Sequence, residues 1–456
     1  MTEVSRPRLE ALLVRERELF AASNPRSAAA AIEARTHLLG GVPMTWMAKW
    51  AGGFPLFLAR ARGSRVTDLD GHTYVDFALG DTGAMAGHSP PATVAAVRRR
   101  IDDEGGITAM LPTEDAAWVA AELARRFGLP RWSFALTATD ANRWALRLAR
   151  LVTGRPLVAS FAYGYHGTVD ETFVVRAADG ATHSRPGNVG PAVPPDTTTR
   201  ALEWNDLASV EAALAPCDVA VVITEPALTN IGIVLPEPGF LDGLREICDR
   251  TGTLLLIDET HTLSAGPGGC TAAWGLRPDL VTLGKSFAGG VPIGAYGLSA
   301  EVAERIADRV DREGADLVDV GGVGGTLAGN ALSLAAARAT LAEVLTAEAF
   351  EPMIALATQF TEGVQATIDR HDLPWCVVQL GARAEYRFSR PAPRTGTESA
   401  AAGDDGVEEL LHLALANRGV LLTPFHNMAL MAPTTSAADV ELHTDVFAEV
   451  VAELTA

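Results

Sequence analysis

Apolar and polar positions follow two different periods along this chain, and the change of period divides it. Residues 1–35 place apolar side chains at helical spacing and predict an amphipathic helix. LLGGVPMTWMAKWAGGFP, rich in Gly, Pro and Trp, then reads as loop. FLARARGSRVTDLDGHTYVDFALG alternates apolar with polar around Asp70-Gly71, which is a hairpin signal. From about Pro112, helical periods alternate with short apolar runs. AAWVAAELARRFG, DANRWALRLARLV, LASVEAALA and GFLDGLREICDR predict helices. WSFALTA, PLVASFAY, VAVVITEP, TLLLIDET and DLVTLGKS predict strands. Apolar strands alternating with helices predict an α/β fold whose mainly parallel central sheet is covered on both faces. After about Asn330 the pattern is helix-rich and then α+β, and AAGDDG (401–406) reads as a flexible surface loop.

Three of the predicted strands end in chemistry. VAVVITEP ends at Glu225-Pro226, TLLLIDET at Asp258-Glu259 and DLVTLGKS at Lys285-Ser286. In open α/β sheets, ligands bind outside the carboxyl ends of the strands. Glu, Asp and Lys at one such edge therefore define a candidate site.

Composition narrows what that site could serve. At 456 residues the chain is long enough for two or three lobes, and 48% apolar with 20% charged residues is an ordinary globular balance. A net charge of -19 excludes the basic footprint of a nucleic-acid binder and gives no polybasic patch for an anionic membrane. The four cysteines are widely spaced with no C-x-x-C pair, so neither a metal site nor a disulfide framework is expected. The N-terminal stretch lacks a signal-peptide core, and no apolar run is long enough for a membrane span. A reducing, cytoplasmic setting is the expectation.

Lys285 has several readings. LGKS ends like a phosphate loop, but the first glycine that loop requires is Asp279 here. GGVGGTLAGN has glycines without the dinucleotide spacing. A structural reading has Lys285 snorkelling or pairing with Asp258. The remaining reading is a Schiff-base lysine for pyridoxal phosphate. Such a site needs an amine for the aldehyde and a carboxylate beside the pyridinium nitrogen. Asp258, at the end of a neighbouring strand, supplies the carboxylate, and Gly284, Gly289 and Gly290 allow close backbone approach.

LLLIDETHTLSAGPGG together with DLVTLGKSFAGGVPIGAYG resembles the class III, fold-type I pyridoxal-phosphate aminotransferases, in the glutamate-1-semialdehyde aminomutase-like branch that includes amine and β-amino-acid transaminases. The resemblance runs from about residue 38 nearly to the end. It implies a small-domain segment at 1–75, a large cofactor-binding domain at 76–330 and a C-terminal small domain at 331–456. It implies that Lys285 links the cofactor and moves the substrate proton, that Asp258 faces the pyridinium and that Glu225 lies near the phenolic edge. Tyr165 would stack on the ring, with His166-Gly167 shaping its loop. The phosphate cradle departs from the family: where Ser-Gly-Thr is usual, the chain has Thr137-Ala138-Thr139 before Asp140. Thr260 stands where valine is common, and His261 beyond it reads as supporting rather than catalytic. Asp81, Thr82 and His88 fall in the approach to the site without assigned roles. Thr326, in GGTLAGN, would reach the phosphate of a partner subunit, so the resemblance implies a homodimer with shared sites, with a tetramer left open.

The substrate is less defined. Family members that bind amino acids often carry an arginine just after the early Gly-Gly/Pro loop, because a guanidinium matches a carboxylate. Here GGVPMTWMAKW has none, and Met44 and Trp46 would form an apolar pocket. A keto-acid acceptor still needs a cation, and Arg383, Arg387, Arg390 and Arg394 are candidates, with Arg383 and Arg394 singled out. The resemblance thus implies an amine or ω-amino donor and a keto-acid acceptor. A glutamate-1-semialdehyde aminomutase or β-amino-acid aminotransferase is the alternative within enzymes. A catalytically silent binding protein is the alternative outside them.

Overall fold

The computed structural model describes residues 4–456. Its contacts divide it into two compact units. One comprises Pro91–Ala347 with Arg394–Ala401; the other comprises the chain up to Pro90, Glu348–Pro393 and Ala402–Ala456. The breaks fall at 90 and 347, where the sequence placed them at 75 and 330.

The larger unit is built on seven strands: β1 (Arg131–Ala135), β2 (Leu157–Phe161), β3 (Thr199–Leu202), β4 (Val219–Thr224), β5 (Leu254–Asp258), β6 (Leu280–Leu283) and β7 (Gly294–Leu298). Their spatial order is β1-β7-β6-β5-β4-β2-β3. From β6 to β3 all neighbours run parallel. β7 alone is antiparallel to its neighbours. The mainly parallel sheet is therefore present. β4, β5 and β6 are buried at every position, which is why VAVVIT and LLLID show no alternation.

Helix α1 (Ala138–Thr153) explains one covered face. Ala141, Ala145, Leu148, Ala149 and Val152 recur at helical spacing and share a core with Val221, Ile223, Leu256 and Leu280. The helix starts at Thr137, whose side chain accepts from the Asp140 amide, and stops at Gly154 with φ 68°. Helices α2 (Leu207–Leu214) and α3 (Phe240–Thr251) follow; α3 is the crossover that returns the chain from β4 to its parallel neighbour β5.

Two readings are corrected outside the sheet. The N-terminal segment is two helices, Arg6–Ser23 and Pro25–Ala34. Pro25 cannot donate to a continuing helix and is preset for a first turn, so the chain restarts there. AAGDDG is less loop than expected: the Gly396–Ala401 helix ends inside it, and the Asp405–Asn417 helix begins with Asp404 as its cap. The hairpin is present, with Arg65–Asp68 antiparallel to Thr73–Asp76 across Asp70-Gly71. Among the described residues no helix is long and apolar enough to cross a membrane.

Candidate active site at the strand ends

Because β4, β5 and β6 are adjacent and parallel, Glu225, Asp258 and Lys285 leave the same edge of the sheet. Asp258 is 3% exposed and Glu225 2% exposed. An isolated carboxylate this deep would protonate, so what surrounds it decides its charge. Asp258 Oδ2 accepts from Asn142 Nδ2 at 2.8 Å and from His166 Nδ1 at 3.0 Å. Oδ1 accepts from the Thr260 amide at 3.0 Å. Burial is the largest influence and pushes the Asp258 pKa up. His166, with Thr260 and Asn142, outweighs it, and the carboxyl stays below its usual range. The network continues outward: Thr282 Oγ1 donates to Asn142 Oδ1 at 2.6 Å, and Asn142 Nδ2 also reaches the His166 carbonyl at 3.0 Å.

Lys285 begins the short turn after β6 with φ 59°, the left-handed region that a non-glycine residue enters at a cost. Its backbone is tightly placed. A Cβ at Gly284 would lie 2.6 Å from that of Ala138, which is how the lysine turn sits flush against the start of α1. Lys285 Nζ lies 2.8 Å from His261 Nε2. Asp258 is held by the three donors above.

The cradle residues meet at the N-terminus of α1, where first-turn amides have no partner within the helix and the dipole favours an anion. Thr137 Oγ1 donates to Asp140 Oδ2 at 2.9 Å. Thr139 Oγ1 accepts from the Thr168 amide at 3.1 Å. Gly167 (φ 77°) allows this approach: a Cβ there would lie 2.1 Å from Thr139 Oγ1. Glu225 accepts from the Thr229 hydroxyl. Tyr165 is half-buried and meets Phe173 edge-on, with ring centres 6.1 Å apart. Glu259, beside the site, is buried with its pKa raised by burial, and the Cys270 and Thr271 amides donate to it.

These residues fit pyridoxal phosphate. The Thr260 and Ser286 hydroxyls are buried without a hydrogen-bond partner among the described residues. An aspartate kept ionised suits a protonated ring nitrogen, and the start of α1 suits a phosphate.

Other residues singled out in the sequence lie elsewhere. Thr326 is exposed, in the turn before the Ala331–Glu343 helix, which Asn330 caps by accepting from the Ser333 amide at 2.9 Å. Trp46 and Met44, in the smaller unit, line an apolar cavity of about 460 Å³, and Trp46 meets Phe425 edge-on at 4.9 Å. Asp81 and Thr82 hold left-handed backbones at φ 50° and 82°. His88 Nε2 pairs with Asp76 at 2.7 Å. Arg383 is 1% exposed within the Arg383–Arg387 strand. Arg390 pairs with Asp369. Arg394, exposed, is engaged by Glu237, so its guanidinium already has a carboxylate.

The sequence reading missed Asn142, the His261–Lys285 contact and Arg185. Asn142 carried a signal, since it lies on the apolar face of α1, one turn before Leu146. Arg185 carried none.

A parallel sheet ending in a lysine, a buried ionised aspartate and a helix N-terminus defines a pyridoxal-phosphate enzyme of transaminase type. Residues 46–451 match the model of aminotransferase class-III, and the chain belongs to that family. It is 34% identical over 413 residues to glutamate-1-semialdehyde 2,1-aminomutase of Chloroflexus aggregans, covering 88% of this chain and 91% of that protein. A glutamate-1-semialdehyde-aminomutase from Pseudomonas aeruginosa PAO1, solved as a lysine-to-alanine variant in complex with PMP, superposes with a TM-score of 0.95 at 51% identity, covering 99% of both chains. An omega-transaminase from Sphaerobacter thermophilus gives a TM-score of 0.83 at 28% identity, covering 94% of this chain and 98% of that one.

Proposed function

We propose that this enzyme moves an amino group on a carboxylate-bearing substrate, in the manner named for the aminomutases it is similar to, as a glutamate-1-semialdehyde 2,1-aminomutase. The observation that carries the reading is Lys285 and His261 in contact beside an ionised, buried Asp258. Pyridoxal phosphate, when bound, supplies an aldehyde that captures amines and a ring that withdraws electrons. Asp258 would face the ring nitrogen and hold a proton there. Thr137, Ala138 and Thr139 would hold the phosphate, with Thr260 against the ring opposite Tyr165 and His166 orienting Asp258. Glu225 would sit at the phenolic edge. An ammonium has no lone pair, so Lys285 can capture an aldehyde or take a proton only once it has lost one of its own. His261 Nε2, at 2.8 Å, is placed to accept it. Lys285 then moves the substrate proton as general base and acid.

The second reading is an amine or ω-amino aminotransferase with a keto-acid acceptor. The arginine-free early loop and the apolar cavity at Met44 and Trp46 favour it. We also infer a cytoplasmic homodimer with shared sites. Exposed Thr326 and the apolar Met110, Leu111, Val318 and Val320, each at least 75% exposed, support a covered face there.

One incubation separates the readings. Glutamate 1-semialdehyde supplied alone should yield 5-aminolevulinate with no added amino donor. If product forms only with an amine donor and a keto acid, the second reading replaces the first. Protein that never takes up the yellow cofactor would overturn both.

A further inference from the structure

A substrate carboxylate taken out of water needs a cation, and the early loop provides no arginine. Within the unit that carries Lys285, Arg394 is engaged by Glu237. Arg185 is not engaged in that way.

Arg185 follows the short Thr182–Ser184 strand. Its guanidinium carbon lies over the Tyr163 ring, 5.5 Å from the centre. With the Asn230 amide turned so that its oxygen faces these donors, that oxygen accepts from Nη1 at 2.9 Å and from Nη2 at 2.7 Å. Nη1 also points at the Gly164 carbonyl, 3.5 Å away. One neutral oxygen thus caps the end of the guanidinium, and an aromatic face lies beneath it. The side edge, Nε–H with the second Nη2 N–H, has no hydrogen-bond partner among the described residues, and the cation has no ion pair. That edge is a two-pronged donor of the kind that grips a carboxylate.

The residues that hold Arg185 adjoin those of the site. Tyr163 and Gly164 directly precede Tyr165 and His166, and Asn230 lies just beyond Glu225 and Thr229. Tyr163 itself holds a left-handed φ of 64°, a strained backbone that keeps its ring under the guanidinium. Burial lowers the Arg185 pKa, while the fields of Tyr163, Tyr165 and Glu225 act in the opposite direction. Arginine stays charged throughout, and a half-buried cation with no ion pair among the described residues is stabilised when a carboxylate arrives to pair with it.

We propose that Arg185, seated on Tyr163 and fixed end-on by Asn230, is the carboxylate-binding residue of this active site. Amino and keto acids, rather than simple amines, are then its substrates. The inference rests on the pyridoxal-phosphate reading and sharpens it.

The test uses the loaded enzyme and glutarate, a dicarboxylate with no amine to react. Calorimetry should show glutarate binding to wild type and a loss of affinity on the order of 10²-fold in Arg185→Gln, with Arg185→Lys between them. In single turnovers without acceptor, the ratio of half-saturating 4-aminobutyrate to butylamine should rise by a similar factor in Arg185→Gln. Glutarate binding equally to wild type and variant, or not at all to wild type, overturns the proposal, as does an unchanged ratio. If Arg185→Gln does not hold cofactor, Asn230→Ala carries the test, with about a tenfold glutarate loss expected and none refuting it. A wild-type protein that takes up no cofactor defeats the parent reading instead, so the two failures are distinguishable.

Discussion

Asn142→Ala removes the hub of the buried network under the cofactor site. The side chain makes three hydrogen bonds: from Thr282 Oγ1 at 2.6 Å, to Asp258 Oδ2 at 2.8 Å and to the His166 carbonyl at 3.0 Å. The bond to the charged carboxylate is worth about 1.5–3 kcal/mol, and each buried partner left unsatisfied costs about 1–3 kcal/mol. The three share one side chain and do not add in full, so the expected loss is about 3–5 kcal/mol. In a unit of this size that lowers the unfolding midpoint by on the order of 10 °C. The acid limb should move as well. The folded pKa of Asp258 is depressed, so its contribution is present above the unfolded pKa of 3.8 and lost as pH falls through the folded value. Asn142 is one cause of that depression, so the variant should lose stability at a higher pH than wild type. Scanning calorimetry of cofactor-free protein, repeated across acidic pH, reads both effects. A midpoint within about 2 °C of wild type, with an unmoved acid limb, would refute the reasoning.

Two further expectations follow from single contacts. Gly167→Ala adds a Cβ 2.1 Å from Thr139 Oγ1 at a left-handed φ, so it should cost about 2 kcal/mol and weaken cofactor binding several-fold; denaturant midpoints and cofactor titration measure these. His443 is buried among Phe77, Phe360, Tyr386 and Phe447 with neither ring nitrogen hydrogen-bonded among the described residues, and burial pushes its pKa down to about 3 from 6.5. The unfolded chain therefore binds the extra proton between those values and stability falls as pH drops through them. His443→Phe should match or exceed wild type at neutral pH and show a flatter pH dependence of the unfolding midpoint from pH 6.5 towards 3.

The sheet was legible because burial on both faces leaves a plain mark, uninterrupted apolar runs such as VAVVIT and LLLID that end in polar residues. Strand adjacency then brings Glu225, Asp258 and Lys285 together without further information. Asn142 was harder, because its place on the apolar face of α1 marks it as buried but not that it holds an aspartate. Arg185 was beyond reach: its meaning comes from Tyr163 and Asn230, which lie on other loops, and from its having no ion pair among the described residues. Arg383 and Arg394 show the converse. Neighbouring in sequence and equally cationic, one is buried in a strand and the other is bound to Glu237 on the surface. The break at Asn24-Pro25 was readable from the proline alone, but helical periodicity on both sides masked it.

The backbone at Lys285 sets chemistry and durability against each other at one position. With φ at 59°, every side chain there carries a penalty of about 1 kcal/mol that glycine escapes. Lys285→Gly should therefore unfold no earlier than Lys285→Ala, and heat resistance alone would favour losing the amine. The amine at this position is thus held by a backbone that the chain adopts at a cost.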